Sequence, residues 1–320
     1  MNLNVNYLGH HLKSPLILAS SGLSDDINKI LEAEKNGIGA VVLKSIFEEQ
    51  ILANVNHLNY NEEYKNSIEY VKNLSENKIL DTYINFVQEC KNNTSIPIIG
   101  SIHSISDKIW YQFIPKLEEA GLDALEININ IPPLHQYNDY NELYDFYLQI
   151  ISKVANVCSI PISVKLNPFL PNYYKLIKDL EEIGISSIVL FNKPYSPSIN
   201  IDNLSIDLEP ELSNKVENRN SIRWLVLLYN HTHLQLSAAT GFFDYDDVVK
   251  AILAGATTIQ LCSTIYLNGY NKIGEINNRL MNWMTGHNFN KIDEFKGLIS
   301  RKLEFNSDFE RMQYMIRDNN

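Results

Sequence analysis

Cysteine is scarce in this 320-residue chain: Cys90, Cys158 and Cys262 stand far apart, with no CxxC pair. That excludes a disulfide framework, a Cys-rich zinc site and an iron–sulfur motif, and it suits a reducing cytosol, so a cytoplasmic location is expected. Neither GxGxxG nor GxxxxGK[ST] occurs, so the usual dinucleotide and P-loop fingerprints are missing. No apolar run approaches the roughly 20 residues that span a bilayer. The N-terminus lacks a basic segment followed by an apolar core, so neither a membrane partner nor a secretion signal is expected. Positive charge is also in deficit: 27 Lys and Arg face 38 Asp and Glu, a net charge of −11. Such a balance argues against a nucleic-acid partner but allows a local basic pocket for a small molecule.

What is present is a recurring unit. Four stretches read as helix, glycine, short link and apolar run: "EKNGIGAVVLKS", "EEAGLDALEINI", "EEIGISSIVLFN" and "ILAGATTIQLCS", with Gly37, Gly121, Gly184 and Gly255 at the helix ends. Glycine closes a helix in the left-handed conformation, and the apolar runs have the length of buried parallel strands. "SIPIIGSI" and "SIPISVKL" make the same junction with proline. With "PLILASS" and "LQLSAAT" the strands number eight: 16–19, 40–45, 97–102, 123–129, 161–166, 186–192, 235–240 and 258–263. Helical patterns fall at 25–36, 82–93, 107–120, 139–157, 172–183, 220–230 and 245–254, and from about 270 onward. Strict alternation predicts an α/β chain, a (β/α)8 TIM barrel in a single domain over 1–320, with C-terminal helices. "NVNYLGHHLKSP" reads as an N-terminal β-hairpin turning near Gly9 and plugging the barrel floor. The connections 46–81 and 193–219 are long enough to serve as lids or partner contacts.

Barrel enzymes place their chemistry at the carboxyl ends of the strands. Those ends carry Ser20, Ser21, Lys44, Ser45, Ser101, His103, Asn128, Asn130, Lys165, Asn167, Asn192, Thr240, Gly241, Cys262 and Ser263. The lysines are the informative members. Lys44 and Lys165 each end an apolar strand, and an ammonium beneath a cavity costs desolvation energy unless an anion or acceptor faces it.

In this order and spacing, "ASSG", "LKS", "EINI", "VKL", "FN", "ATG" and "QLCS" resemble the flavin-dependent dihydroorotate dehydrogenase family, with kinship to the flavin domain of dihydropyrimidine dehydrogenases. The resemblance covers about residues 3–285. It implies an FMN-dependent oxidoreductase acting on a CH–CH bond, in pyrimidine metabolism, and a homodimer. It implies that Ser21 and Gly22 contact the flavin through backbone groups, that Lys44 approaches flavin and substrate, and that Ser45 meets the flavin. Asn128 would face the isoalloxazine and substrate, Lys165 the N1–C2=O edge, and Asn192 the substrate. Thr240, Gly241, Cys262 and Ser263 would cradle the phosphate.

The stretch "LEININIPP" departs from the pattern. The family places a cysteine or serine base directly after a small serine; here Asn130 takes the serine's place, Ile131 the base position and Pro133 that of a second substrate amide. General-base catalysis contributes roughly 10²–10⁴-fold, and isoleucine accepts no proton. The family's Asn-x-x-Gly-Leu-x-Asn loop is also missing from 46–81. His135, Tyr137 and His103 are candidates for a replacement base. Glu48 and Glu49 read as a solvated helix start, and Arg219, Arg223 and Trp224 as the start of the sixth helix. A catalytically reduced flavin-binding barrel acting as a partner or regulatory subunit is the alternative reading. A flavin-free barrel using Lys44 or Lys165 as a Schiff base is the third.

Overall fold

The computed structural model describes residues 1–48, 65–104, 110–129, 139–170, 172–194, 198–207 and 212–302. Eight strands form the barrel: β3 (Leu16–Leu18), β4 (Ala40–Val42), β6 (Ile98–Ser104), β7 (Ala124–Ile129), β8 (Ile162–Leu166), β9 (Ser187–Leu190), β12 (Gln235–Ala238) and β13 (Thr258–Leu261). Each pairs in parallel with its neighbours, and pairing of β4 with β6 and of β13 with β3 closes the ring. The helices α1 (Ile27–Lys35), α2 (Lys65–Asn93), α3 (Trp110–Glu119), α4 (Tyr140–Ala155), α5 (Tyr173–Ile183), α6 (Asn218–Leu228) and α7 (Tyr245–Ala254) alternate with the strands. The chain is therefore a (β/α)8 TIM barrel, as the alternation predicts. C-terminal helices α8 (Ser263–Asn268), α9 (Asn271–Gly286) and α10 (Leu298–Lys302) follow.

Strand bodies are buried on both faces, and that is why they read as unbroken apolar runs. All four helix-closing glycines adopt positive φ. At Gly255 the requirement is double: φ is 117°, and an added Cβ would lie 2.2 Å from the Tyr229 ring. The hairpin β1 (Val5–Tyr7) and β2 (His10–Leu12) turns through Leu8 and Gly9, both with positive φ. Its tip seals the barrel floor. Tyr7 and Leu8 are each 2% exposed; Leu8 N donates to Gln235 Oε1 at 2.8 Å, and Ser187 Oγ donates to the Tyr7 hydroxyl at 3.0 Å. Burial pushes that hydroxyl up to about 12, so it stays protonated.

Several expectations are corrected. The strands expected over 40–45, 186–192, 235–240 and 258–263 end two or three residues early, because the chain leaves the ladder to form the barrel's mouth. The helix expected over 82–93 is longer, since α2 begins at Lys65 inside the 46–81 connection, and a two-residue strand β5 (Ile46–Phe47) pairs with β6. Glu48 is not solvated but fully buried, with Ser104 Oγ donating to its Oε2 at 3.4 Å. Arg219, Arg223 and Trp224 lie in α6, where Trp224 packs on Tyr173 with ring centroids 4.4 Å apart. In 193–219, β10 (Ser198–Asn200) and β11 (Ser205–Asp207) make an antiparallel hairpin. No described helix is long and apolar enough to cross a membrane.

Candidate active site

Alternation along each strand decides which side chains reach the barrel axis. In β7, Leu125, Ile127 and Ile129 are buried against the helical layer, leaving Glu126 and Asn128 for the interior. Register places His103 beside Asn128 and Asn128 beside Lys165, a tier of polar side chains at the strand tips. Asn192 Nδ2 donates to Asn128 Oδ1, joining two of the expected substrate amides. His103 stacks on Phe47, with centroids 4.6 Å apart.

Beneath the tier, Lys165 meets two residues that the strand-tip reading missed, Glu126 and Gln260. Lys165 is 7% exposed and Glu126 1%. Lys165 Nζ donates to Gln260 Oε1 at 2.8 Å and stands 3.7 Å from Glu126 Oε1; Gln260 Nε2 donates to Glu126 Oε2 at 2.5 Å. Strands β7 and β13 are four places apart in a ring of eight, so the Gln260–Glu126 bond crosses the axis. The signal was in the sequence: Glu126 and Gln260 are polar residues inside otherwise apolar runs. A buried ammonium is tolerated when a carboxylate and hydrogen bonds offset its desolvation.

A cavity of about 200 Å³ opens at this end, lined by Lys165, Asn192, Thr240, Gly241, Cys262 and Ser263 with Ser20, Lys193, Ser213 and Gln260 among others. Six of the expected site residues therefore meet around one space. Thr240 and Gly241 have φ of 70° and 84°, and Thr240 Oγ1 donates to Phe191 O at 2.9 Å. Ser263 Oγ accepts from both the backbone N–H and the hydroxyl of Ser213, at 3.0 and 2.9 Å, which leaves its own proton free to point elsewhere. Ser213 comes from the far end of the 193–219 connection and was not foreseen. Gly241 needs glycine for a reason other than a close ligand: an added Cβ would lie 2.4 Å from Asn218 N and 2.8 Å from Asn214 O, and its own N–H donates to Ser213 Oγ at 3.3 Å. Burial raises the Cys262 thiol, partly offset by Ser21 and Lys165, which disfavours a thiolate nucleophile there.

The remaining expected residues form the rim. Ser45 Oγ lies 2.7 Å from Ser101 Oγ and 3.1 Å from Ser20 Oγ, bringing Ser45 to the cavity's edge. Ser21 N donates to Ser24 Oγ, and a Cβ at Gly22 would meet the Tyr266 hydroxyl at 2.8 Å. Lys44 turns outward: its side chain is 54% exposed and stands 3.4 Å from Asp25 Oδ2. Burial works against ionised Asp25, but Lys29 and Lys44 outweigh it and hold the carboxyl below its ordinary range. Asn130, Ile131, Pro133, His135 and Tyr137 lie outside the described residues. Among the described residues no cluster of His, Cys, Asp and Glu could hold a metal.

Chemically, the arrangement offers a cation at the floor, amides beside it and a hydroxyl-rich pocket at the tips of β12 and β13. Comparisons with known proteins give the chain's family. The profile of the family described as "Dihydroorotate dehydrogenase" matches residues 2–284. The relatives include "Dihydroorotate dehydrogenase B (NAD(+)), catalytic subunit" from Thermoplasma volcanium, 25% identical over 307 residues, covering 94% of this chain and 99% of that protein. Proteins of the same name from Thermoplasma acidophilum, 25% identical (94% and 99% covered), and Methanocaldococcus jannaschii, 23% identical (92% and 97% covered), are similar. With the profile match running through all eight barrel strands, the chain belongs to the dihydroorotate dehydrogenase family.

Proposed function

We propose that the protein is an FMN-dependent oxidoreductase acting on a CH–CH bond of dihydroorotate or a related ring, within a single domain over 1–320. The observation that carries this reading is the meeting of Lys165, Asn192, Thr240, Gly241, Cys262 and Ser263 around one cavity at the strand ends. The residues present fit the coenzyme. Lys165 supplies a buried cation for an electron-rich ring edge, and Asn128 and Asn192 supply amides beside it. The hydroxyl of Ser263, already accepting twice, has a proton to give a phosphate oxygen. When bound, FMN supplies the hydride chemistry.

The chain's own residues orient and polarise. Lys165, held from beneath, presents its charge upward without a swing. Asn128 and Asn192, bonded to each other, fix the amide edges that a ring substrate would meet. Lys44 is held by an exposed pair worth roughly 0–1 kcal/mol, so an anionic substrate can draw it from Asp25 toward the mouth. His135 and His103 remain candidate proton acceptors in place of Ile131.

The purified protein should be yellow, or become so on reconstitution with FMN, and anaerobic dihydroorotate should bleach it. A colourless protein that takes up no FMN would sink the flavin reading. An FMN-loaded protein that no pyrimidine bleaches would favour the second reading, a catalytically reduced barrel serving as a partner or regulatory subunit; Ile131 at the base position is what favours it. The relatives' printed names, "catalytic subunit", support a partner subunit for this chain also; the homodimer follows from the family resemblance, and the cytoplasmic location from the scarce, unpaired cysteines.

A further inference from the structure

Lys165 is fixed from below by a relay with a single polarity. Its ammonium can only donate, so it meets the oxygen of Gln260. That orients the Gln260 amide, whose nitrogen then needs an acceptor on the opposite wall and finds Glu126 Oε2. Were Glu126 neutral or absent, the amide could turn over and set its NH2 against the ammonium. Glu126 also stands 3.7 Å from Lys165 Nζ, and its Oε1 is buried with no hydrogen-bond partner. The carboxylate is therefore committed to this pair and not to a competing donor. With Lys165 7% and Glu126 1% exposed, neither is screened by bulk water.

We propose that Glu126, acting through Gln260, is a positioning residue that holds Lys165 in place and sets the net charge under the cavity. Because the ammonium and carboxylate cancel in sum, a group bound above meets the positive end of a dipole and not an uncompensated cation. The consequence for a bound flavin rests on the functional reading above; the hold on Lys165 does not.

The first measurement needs no coenzyme. FMN-free protein is treated with an acetylating reagent at one fixed, mildly alkaline pH, and acetylation of each lysine is followed by peptide mass spectrometry. In Glu126→Gln, Lys165 loses the carboxylate that holds its ammonium in the relay, and it should acetylate severalfold faster than in wild type; the exposed Lys29 should not change. Glu126→Asp keeps the charge and should restore slow acetylation. An unchanged Lys165 rate in Glu126→Gln overturns the proposal, as does equally fast acetylation in Glu126→Asp, which would mean only a loosened core. Should Glu126→Gln not fold, Gln260→Met breaks the same relay, with faster Lys165 acetylation expected and an unchanged rate overturning the idea.

The second measurement uses FMN-loaded protein. Removing the negative charge favours the anionic reduced coenzyme, so the midpoint potential of Glu126→Gln should move positive relative to wild type. An unmoved potential counts against the charge-setting role. If wild type takes up no FMN, the functional reading falls while the acetylation result still decides the relay.

Discussion

At the scale of single residues, the site divides into charges that are held and charges that are loose. Lys165 and Glu126 are buried together, so removing one strands the other in a low-dielectric interior. Lys165→Met should destabilise the fold by about 3–5 kcal/mol in urea unfolding, and adding Glu126→Gln should recover much of that loss. Two additive losses would mean that the residues do not act as a pair. Lys44→Ala should cost no more than about 1 kcal/mol, because its partner Asp25 sits at a solvent-exposed rim. If Lys44 binds substrate as proposed, the same variant should raise KM for dihydroorotate. A wild-type KM together with a stability loss would reassign Lys44 to the scaffold.

At the scale of elements, the junctions between helix and strand carry much of the specification. Glu181 in α5 shows how. It accepts from Thr232 Oγ1 at 2.6 Å, His233 N at 2.7 Å and Lys178 Nζ at 2.8 Å, tying the helix to the segment that enters β12. Burial opposes its ionisation, but these donors outweigh it and lower its carboxyl from about 4.5 to about 2. A group more acidic in the folded state stabilises it fully above its unfolded value, and that stability is lost as pH falls. Wild type should therefore lose stability between about pH 4.5 and pH 2, and Glu181→Gln should show a shallower loss across that window. Parallel acid-denaturation curves would show that the tie carries no such weight.

The elements themselves were legible where local chemistry repeats. Gly37, Gly121, Gly184 and Gly255 mark four helix ends, and the apolar run after each became a barrel strand. The first half of α2 was not legible, because "KNSIEYVKNLSENK" holds only four apolar residues among ten polar ones, too few to mark a helix by periodicity. Strand tips predicted the cavity lining from Lys165 to Ser263 because alternation fixes inward and outward positions. They missed Glu126 and Gln260, whose meaning depends on which strands stand opposite each other. They missed Ser213 because a long connection returns it to the mouth, and no periodicity encodes that path. Lys44 matched its place in the chain, yet its ammonium follows the nearest carboxylate, Asp25.

At the scale of the whole molecule, a closed parallel ring leaves no strand edge within the barrel, and its interior holds the paired charges of Lys165 and Glu126. A ligand that binds the folded chain alone stabilises it by mass action, about 2.7 kcal/mol at a free concentration 100 times its Kd. FMN should accordingly raise the melting temperature in a concentration-dependent way, and Lys165→Met should blunt the rise. A melting temperature indifferent to FMN would speak against occupancy of the cavity.

The stopper formed by Tyr7 and Leu8 has a kinetic corollary. A vessel corked at its base is filled and emptied through its neck, so a small electron donor and a small electron acceptor would have to queue for one entrance. Their turnover would then follow substituted-enzyme kinetics, with parallel double-reciprocal lines. Intersecting lines would mean that the acceptor draws its electrons through the vessel's wall.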